Sequence, residues 1–264
     1  MIKFLYFLTF VVLVSSCSPY QKALKSDDVS VKYDQAEKKY EEKKYNKAIR
    51  LFEQLAPAFR GKPQSEKMFY MYAQSYYKTE QYYLGAYQFE SFVSSYPKSD
   101  KIEEAAYLVG KCYSKLSPPY SLDQTETVKA IDKLQAFIDT YSNSSYLPEA
   151  NLILKDLTGK IEKKYFEIAK QYNTISDHKA ALVALDNFID AYPGTPYKEA
   201  ALFYRLDSAY KLAINSVPAK MEERLKNARL AYTNLLKFKG DSKYAEEAQE
   251  MLARIDKDLQ QFSK

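Results

Sequence analysis

Along this chain the bulky apolar residues fall four and three positions apart. In KAIRLFEQL, LGAYQFESF, KAIDKLQAF, KAALVALDNF and NARLAYTNLL a small residue is followed four later by a bulky one, and three later by another. The triplets are Ala48, Phe52, Leu55; Gly85, Phe89, Phe92; Ala130, Leu134, Phe137; Ala181, Leu185, Phe188; and Ala228, Tyr232, Leu235. Those spacings put all three side chains on one stripe of an α-helix, so five stripes predict five copies of one helix. A second helix precedes each copy. Ala36, Ala73 and Ala169 stand twelve residues before Ala48, Gly85 and Ala181, and Tyr45 and Tyr82 recur between them, with His178 in that slot of the fourth copy. No segment alternates apolar and polar residues long enough to predict a strand.

Paired helices repeated at a near-regular period resemble the tetratricopeptide repeat. AYLVGKCY carries its Leu-x-Gly-x-x-Tyr signature, and SSYPKS and DAYPGT carry the proline that ends its second helix. The expected fold is all-α: a superhelical solenoid of five tetratricopeptide-like helical hairpins plus a C-terminal capping helix over Tyr244 to Phe262, eleven helices in all. The small residues at 48, 85, 130, 181 and 228 are 37, 45, 51 and 47 apart, longer than the usual ~34. The extra length is assigned to SPPYSLDQTET in the turn of the third pair, SVPAKMEER in that of the fifth, and one long first helix over 148–175.

The first residues follow another pattern. From Phe4 to Val14 only Thr9 is not apolar, and Lys3 is the single charge before Cys17. This run is shorter than the ~20 apolar residues of a spanning helix and matches the h-region of an export signal. Val14-Ser15-Ser16-Cys17 resembles the bacterial lipobox, which implies lipidation of Cys17 as the new N-terminus. The expected division is 1–16 lipoprotein signal peptide, removed; 17–28 lipidated tether; 29–264 repeat domain. Several acyl chains make such an anchor stable where one is marginal.

Charge and chemistry narrow the function classes. Without Lys3 the 39 basic residues become 38 against 34 acidic ones, a net +4, and the signs are interspersed, as in AEKKYEEKKYNK. A nucleic-acid binder segregates its basic residues, so no nucleic-acid partner is expected. With Cys17 acylated only Cys112 remains, which reads as a small buried hydrophobe. His178 is alone, so no metal site is expected, and its aromatic slot points to packing. Glu103 and Glu104 read as part of a solvated helix face. No catalytic constellation, Gly-rich phosphate loop or cofactor motif is present, and the chain reads as a non-enzyme.

A lipobox followed by five irregular repeats with SYP or AYP ends is similar to the BamD (YfiO) family, the lipoprotein subunit of the β-barrel assembly machinery. The resemblance covers the chain from about Val29 onward, although the first repeat ends in PAFRGKP. It implies a scaffold on the outer membrane, lipid-anchored and facing the periplasm. The implied partners are the POTRA region of a BamA-like insertase, other assembly-complex subunits, and unfolded outer-membrane proteins. A lipoprotein nutrient-binding module and a cell-wall adaptor on the same scaffold are the alternatives. Tyrosine, with 26 residues against no tryptophan, suggests where a peptide would lie. Tyr33 and Tyr40 flank Ala36, Tyr70 and Tyr77 flank Ala73, and Tyr107 precedes Gly110. These rings fall beside the crossing stripe, either on a concave groove or packed between repeats, and tyrosine's rigid ring with a polar tip suits a peptide. Lys78, Lys111 and Lys115 are placed to meet the terminal carboxylate that the resemblance implies for a barrel substrate.

Overall fold

The computed structural model describes residues 18–62 and 65–262, and all regular structure among them is helical. In chain order the helices are α1 Pro19–Lys25, α2 Val29–Glu41, α3 Tyr45–Phe59, α4 Glu66–Lys78, α5 Tyr82–Ser95, α6 Ile102–Leu116, α7 Thr125–Thr140, α8 Leu147–Thr174, α9 His178–Ala191, α10 Lys198–Ile214, α11 Pro218–Phe238 and α12 Ala245–Leu259, with a 3-10 turn at Gln260–Phe262. Cys17 lies outside the described residues.

The expected eleven helices are α2 to α12. The twelfth, α1, occupies the segment read as a tether. Ser18 caps it by accepting from the Gln21 N–H at 3.3 Å, Pro19 supplies the pre-set φ of a first helical residue, and Tyr20 and Ala23 are buried. In the fifth pair the extra length is not in the turn. Pro218 starts α11, so most of SVPAKMEER is helix, and α11 runs to 21 residues.

The chain divides into two compact units. The first comprises residues up to 118 and 124–157; the second comprises 119–123 and 158 onward. In the first, α2/α3, α4/α5 and α6/α7 are hairpins. Phe52, Leu55, Met68, Tyr72 and Tyr76 fill one core, and Phe89, Phe92, Leu134, Phe137 and Leu157 another. In the second, the C-terminal part of α8 pairs with α9 through Phe166, Ala169, Ala181, Leu185 and Phe188, while α10, α11 and α12 enclose Leu206, Leu225, Leu235 and Ile255. Of the fifteen stripe residues only Tyr232 is not buried. Its hydroxyl donates to Gln249 Oε1 at 2.6 Å.

Three devices recur, and each follows from the local sequence. Turns of three residues end α2, α4 and α8 with a left-handed residue: Lys43 at φ 56°, Glu80 at 61° and Ser176 at 65°. The next N–H reaches back to close the helix, Lys44 to Lys39 O, Gln81 to Tyr76 O and Asp177 to Tyr172 O, at 2.9–3.0 Å, the Schellman arrangement. At the ends of α5, α7 and α9 a tyrosine N–H caps the carbonyl of the phenylalanine four before it. The ring pairs are Phe92–Tyr96, Phe137–Tyr141 and Phe188–Tyr192, with centroids 5.2–5.4 Å apart.

The third device links neighbouring hairpins. Ser99, Ser144 and Ser242 are buried in the loops that follow α5, α7 and α11. Each hydroxyl donates to a glutamate in the first turn of the preceding pair's first helix: Ser99 to Glu66 at 2.6 Å, Ser144 to Glu103, and Ser242 to Glu199 at 2.8 Å. The same oxygens accept from the backbone N–H two residues on. Glu103 is therefore an acceptor between hairpins and not part of a solvated face.

Candidate functional site

In the first unit the leading helices of successive hairpins, α2, α4, α6 and the start of α8, lie side by side. Polar pairs mark each junction: Lys67 of α4 with Glu37 of α2, Gln74 of α4 with Glu104 of α6 at 3.4 Å, and Lys111 of α6 with Glu149 of α8 at 2.8 Å. The tyrosines singled out from spacing lie along this row, and the geometry separates them.

Tyr40 and Tyr77 occupy equivalent places. Tyr40 meets Tyr45 edge-on at 5.6 Å and 69°, and Tyr77 meets Tyr82 at 5.9 Å and 62°. Each ring spans from the last turn of a first helix to the first residue of the second. Both stay half-buried. In the fourth pair these two positions hold Asn173 and His178. Asn173 is buried and donates to Asp207 Oδ2 at 2.7 Å and to Ser208 Oγ at 2.9 Å, and Lys211 closes on Asp207 at 2.8 Å. The ring row of the first unit is thus replaced in the second by a polar network.

Tyr70 sits edge-on to Phe89 and Phe92 at 6.3 and 5.6 Å, and its hydroxyl accepts from Gln74 Nε2 at 2.8 Å. Burial, and then the Glu104 carboxylate beside it, push its phenol well above the ordinary range. Burial also raises Tyr40, with smaller contributions from Tyr45 and Glu104. Tyr33 is half-buried and stacks on Phe59 at 5.8 Å and 15°, closing the hairpin of α2 and α3.

Tyr107 departs from the expectation. It is 2% exposed, stacked on Tyr146 at 4.8 Å and tilted against Phe137 at 5.6 Å. It is core, because Tyr146 of the α7–α8 connection covers the ring. Lys111 departs too. It is paired with Glu149 and lies 5.3 Å from the Tyr107 ring. Burial alone would lower its ammonium, but Glu149 and the Tyr107 hydroxyl hold it above the usual lysine range. An incoming carboxylate would have to displace Glu149. Lys78, 5.7 Å from the Tyr77 ring, and Lys115 are both exposed.

Spacing alone missed Gln74 and Glu104. In IEEAAY two acids ahead of alanines read as a wet helix face, and only α6 lying beside α4 turns Glu104 toward Tyr70. The result is a row of half-buried tyrosines, Tyr40, Tyr70 and Tyr77, with the Glu104 carboxylate near its middle and Lys78 at the Tyr77 end. Such a surface could stack apolar side chains on its rings, while Glu104 is already paired with Lys101 at 3.8 Å, whose ammonium lies 5.7 Å from the Tyr70 ring. Cys112, fully buried beside it, contacts the second hairpin where a side chain at Gly85 would come within 3.3 Å of its sulfur. Burial pushes its thiol up to about 12, which leaves it an inert packing group.

Residues 25–225 match the model of the YfiO family, described as outer membrane lipoprotein. This chain belongs to the YfiO family. Its similarity to curated members is distant. The outer membrane protein assembly factor BamD of Caulobacter vibrioides is 23% identical over 202 residues, which cover 76% of this chain and 63% of that protein. The putative BamD of Aquifex aeolicus is 27% identical over 169 residues, 61% of this chain and 54% of that one. The chain thus spans less than two thirds of the length of either relative. Among solved structures, the TPR2AB domain of yeast Sti1 in its pHSP90 complex is similar at a TM-score of 0.40 and 16% identity, over 86% of this chain and 98% of that one. The YfiO match takes in all of the tyrosine row and ends inside α11.

Proposed function

We propose that this protein is a lipid-anchored, non-enzymatic scaffold that assists β-barrel assembly at the outer membrane, holding an insertase's periplasmic POTRA region and receiving unfolded barrel segments in the groove of its first unit. Membership of the YfiO family carries this reading, and the names of two relatives as assembly factors support it. Anchoring is through Cys17, with the repeats facing the periplasm. Within the groove, Tyr40, Tyr70 and Tyr77 take the apolar side chains of an extended segment. A terminal carboxylate is directed to Lys78, because Glu104 already holds Lys101 and Glu149 already holds Lys111.

Two experiments test this. The acylated protein, captured from native membranes, brings down a barrel-type insertase identified by mass spectrometry; capture of only nutrient-binding or cell-wall proteins contradicts the assembly role. A peptide copying a barrel protein's last strand binds the parent weakly, with part of the affinity lost as salt rises. Tyr40→Ala combined with Tyr77→Ala reduces that binding severalfold, each ring being worth on the order of 1 kcal/mol, while the melting temperature shows the variant folded. Lys257→Glu, on the exposed face of α12, serves as the control. Lys239 does not, since it bonds Glu199 at 3.0 Å. Replacing Cys17 by alanine abolishes labelling by radioactive palmitate and leaves the repeats folded; label on that variant contradicts the anchor.

A further inference from the structure

The N-terminal helix fixes how the first hairpin must face the membrane. The argument rests on the lipid anchor proposed above and goes beyond it. α1 is packed on α2, with Tyr20 and Ala23 in the same core as Ala36 and Ala48. Lys47 Nζ stands 5.3 Å from the centre of the Tyr20 ring, and Arg50 is close enough to offset part of the rise that burial gives its phenol. From Cys17 to Tyr20 there are three residue steps, which reach about 11 Å at full extension. An acyl chain on Cys17 is therefore on a leash about as short as the Debye length in physiological salt, tied to a residue that touches the start of α3.

The surface at that point is basic. A depression of about 560 Å³ is lined by Lys43, Lys44, Lys47 and Lys78, with Tyr45, Asn46, Thr79 and Glu80. Lys22 and Arg50 are exposed on the helices beside it. The acids nearby are Glu41, Glu42 and Glu80. Glu42 is engaged by Lys39 at 2.7 Å and Lys44 at 3.0 Å, which hold its carboxyl down at about 2. The N-terminus of α3, a 15-residue helix with no side-chain cap, adds the positive end of its dipole on the same side. With Lys78 left to the substrate carboxylate, five cationic side chains, Lys22, Lys43, Lys44, Lys47 and Arg50, thus face three acids where the anchor leaves the fold.

We propose that this basic end, with the α2–α3 turn at its centre, is a second membrane contact that binds the anionic phospholipid headgroups of the leaflet carrying the anchor. The acyl chains supply attachment and the lysines supply orientation. The turn lies against the headgroups, and the opposite end of the hairpin, at the start of α2, points away from them. Because α2 rises 1.5 Å per residue, Ser30 and the turn differ in height by about 17 Å.

Energy transfer from a donor dye on the protein to an acceptor on the lipid headgroups reads this orientation. Full-length acylated protein with Asn46→Cys or Ser30→Cys is labelled, Cys112 being buried, and inserted into vesicles of phosphatidylcholine alone or of equal parts phosphatidylcholine and phosphatidylglycerol. On the anionic vesicles at low salt, transfer from position 46 exceeds that from position 30 by roughly twofold or more. The difference shrinks in phosphatidylcholine alone, in high salt, and in Lys43→Glu, Lys44→Glu, Lys47→Glu. The salt and lipid arms use otherwise unaltered protein, so they decide the matter even if the triple variant folds poorly. Acylated protein that transfers equally from both positions, or whose preference ignores salt and lipid charge, overturns the proposal alone. A mature chain whose mass lacks the acyl groups overturns the anchor and this orientation together.

Discussion

Gly110 and Gly159 are both helical glycines, and their surroundings give opposite expectations for the same substitution. A methyl at Gly110 would come within 2.7 Å of Leu134 Cγ and Cδ2 and 3.2 Å of its backbone N, because α6 and α7 cross there. At Gly159, in α8, nothing lies within 4 Å. Alanine favours a helix over glycine by roughly 0.5–1 kcal/mol, so Gly159→Ala raises the melting temperature. At Gly110 the crowding costs about 1–3 kcal/mol, exceeds that gain, and lowers it. Ala181 is a crossing residue of the same kind, with 0% exposure. Ala181→Leu is expected to destabilise clearly more than Lys179→Leu on the exposed face beside it. Thermal melts of the four variants check both pairs, and equal tolerance at Gly110 and Gly159 would contradict the crossing geometry. Ala181 was legible in the sequence, because a small residue held at a fixed offset from two bulky ones admits few explanations other than a close helix crossing, and Gly110 was legible through the Leu-x-Gly-x-x-Tyr signature; nothing in the pattern singled out Gly159.

At the scale of the element, hairpins and their order followed from spacing, whereas the bonds between them did not. The proline that ends a second helix was visible in SSYPKS and DAYPGT, while the Phe–Tyr ring pair four residues apart that caps it was not singled out. The serine–glutamate pairs were not, because Glu66 and Ser99, Glu103 and Ser144, and Glu199 and Ser242 are 33, 41 and 43 residues apart, too irregular for a pattern search. The misplaced insertion of the fifth pair has a similar cause. Pro218 reads as a breaker inside a turn, yet proline is well suited to the first position of a helix. Tyr107 takes the packed alternative although its register matches Tyr70, because Tyr146, which buries it, stands where the preceding connection of equal length has Lys101. Two predictions belong here. Ser144→Ala leaves Glu103 without its donor and costs about 1 kcal/mol, measured by urea denaturation. Glu199 tests the charge. The Ser242 hydroxyl, then Lys239 and the Lys243 N–H, hold its carboxyl below the ordinary carboxylate range. A group whose folded pKa is depressed stabilises fully above its unfolded pKa and loses that contribution as pH falls through the folded value. Glu199→Gln therefore lowers the melting temperature at neutral pH, and the gap to the parent closes on acidification below about pH 4.5. A gap independent of pH would show the carboxylate's charge to be unimportant. A further change, Glu80→Gly, removes the left-handed strain of the α4–α5 turn and stabilises by a few tenths to about 1 kcal/mol.

For the whole molecule, the repeat pattern predicted one continuous domain, and packing resolves two units that share α8, divided at Leu157 and Thr158. Separate cores imply separate unfolding steps. Hydrogen exchange is expected to give the helices around Leu134 and those around Leu206 different opening free energies, and a single shared value for both would mean that α8 couples the cores fully. The division does not follow the order of the chain. The loop Pro119–Asp123 leaves α6 and returns to α7, both in the first unit, yet it packs with the second: Lys163 Nζ stands 4.3 Å from the Tyr120 ring, and Lys164 Nζ donates to Leu122 O at 2.6 Å. No single scission can therefore separate the two units intact. A fragment starting at Thr158 leaves behind the loop that covers Lys163 and Lys164, and one starting earlier carries a helix stripped of its partners. During synthesis the loop emerges before α7 and waits for some forty residues of chain before Lys163 and Lys164 arrive to receive it, so the second unit is begun before the first is complete.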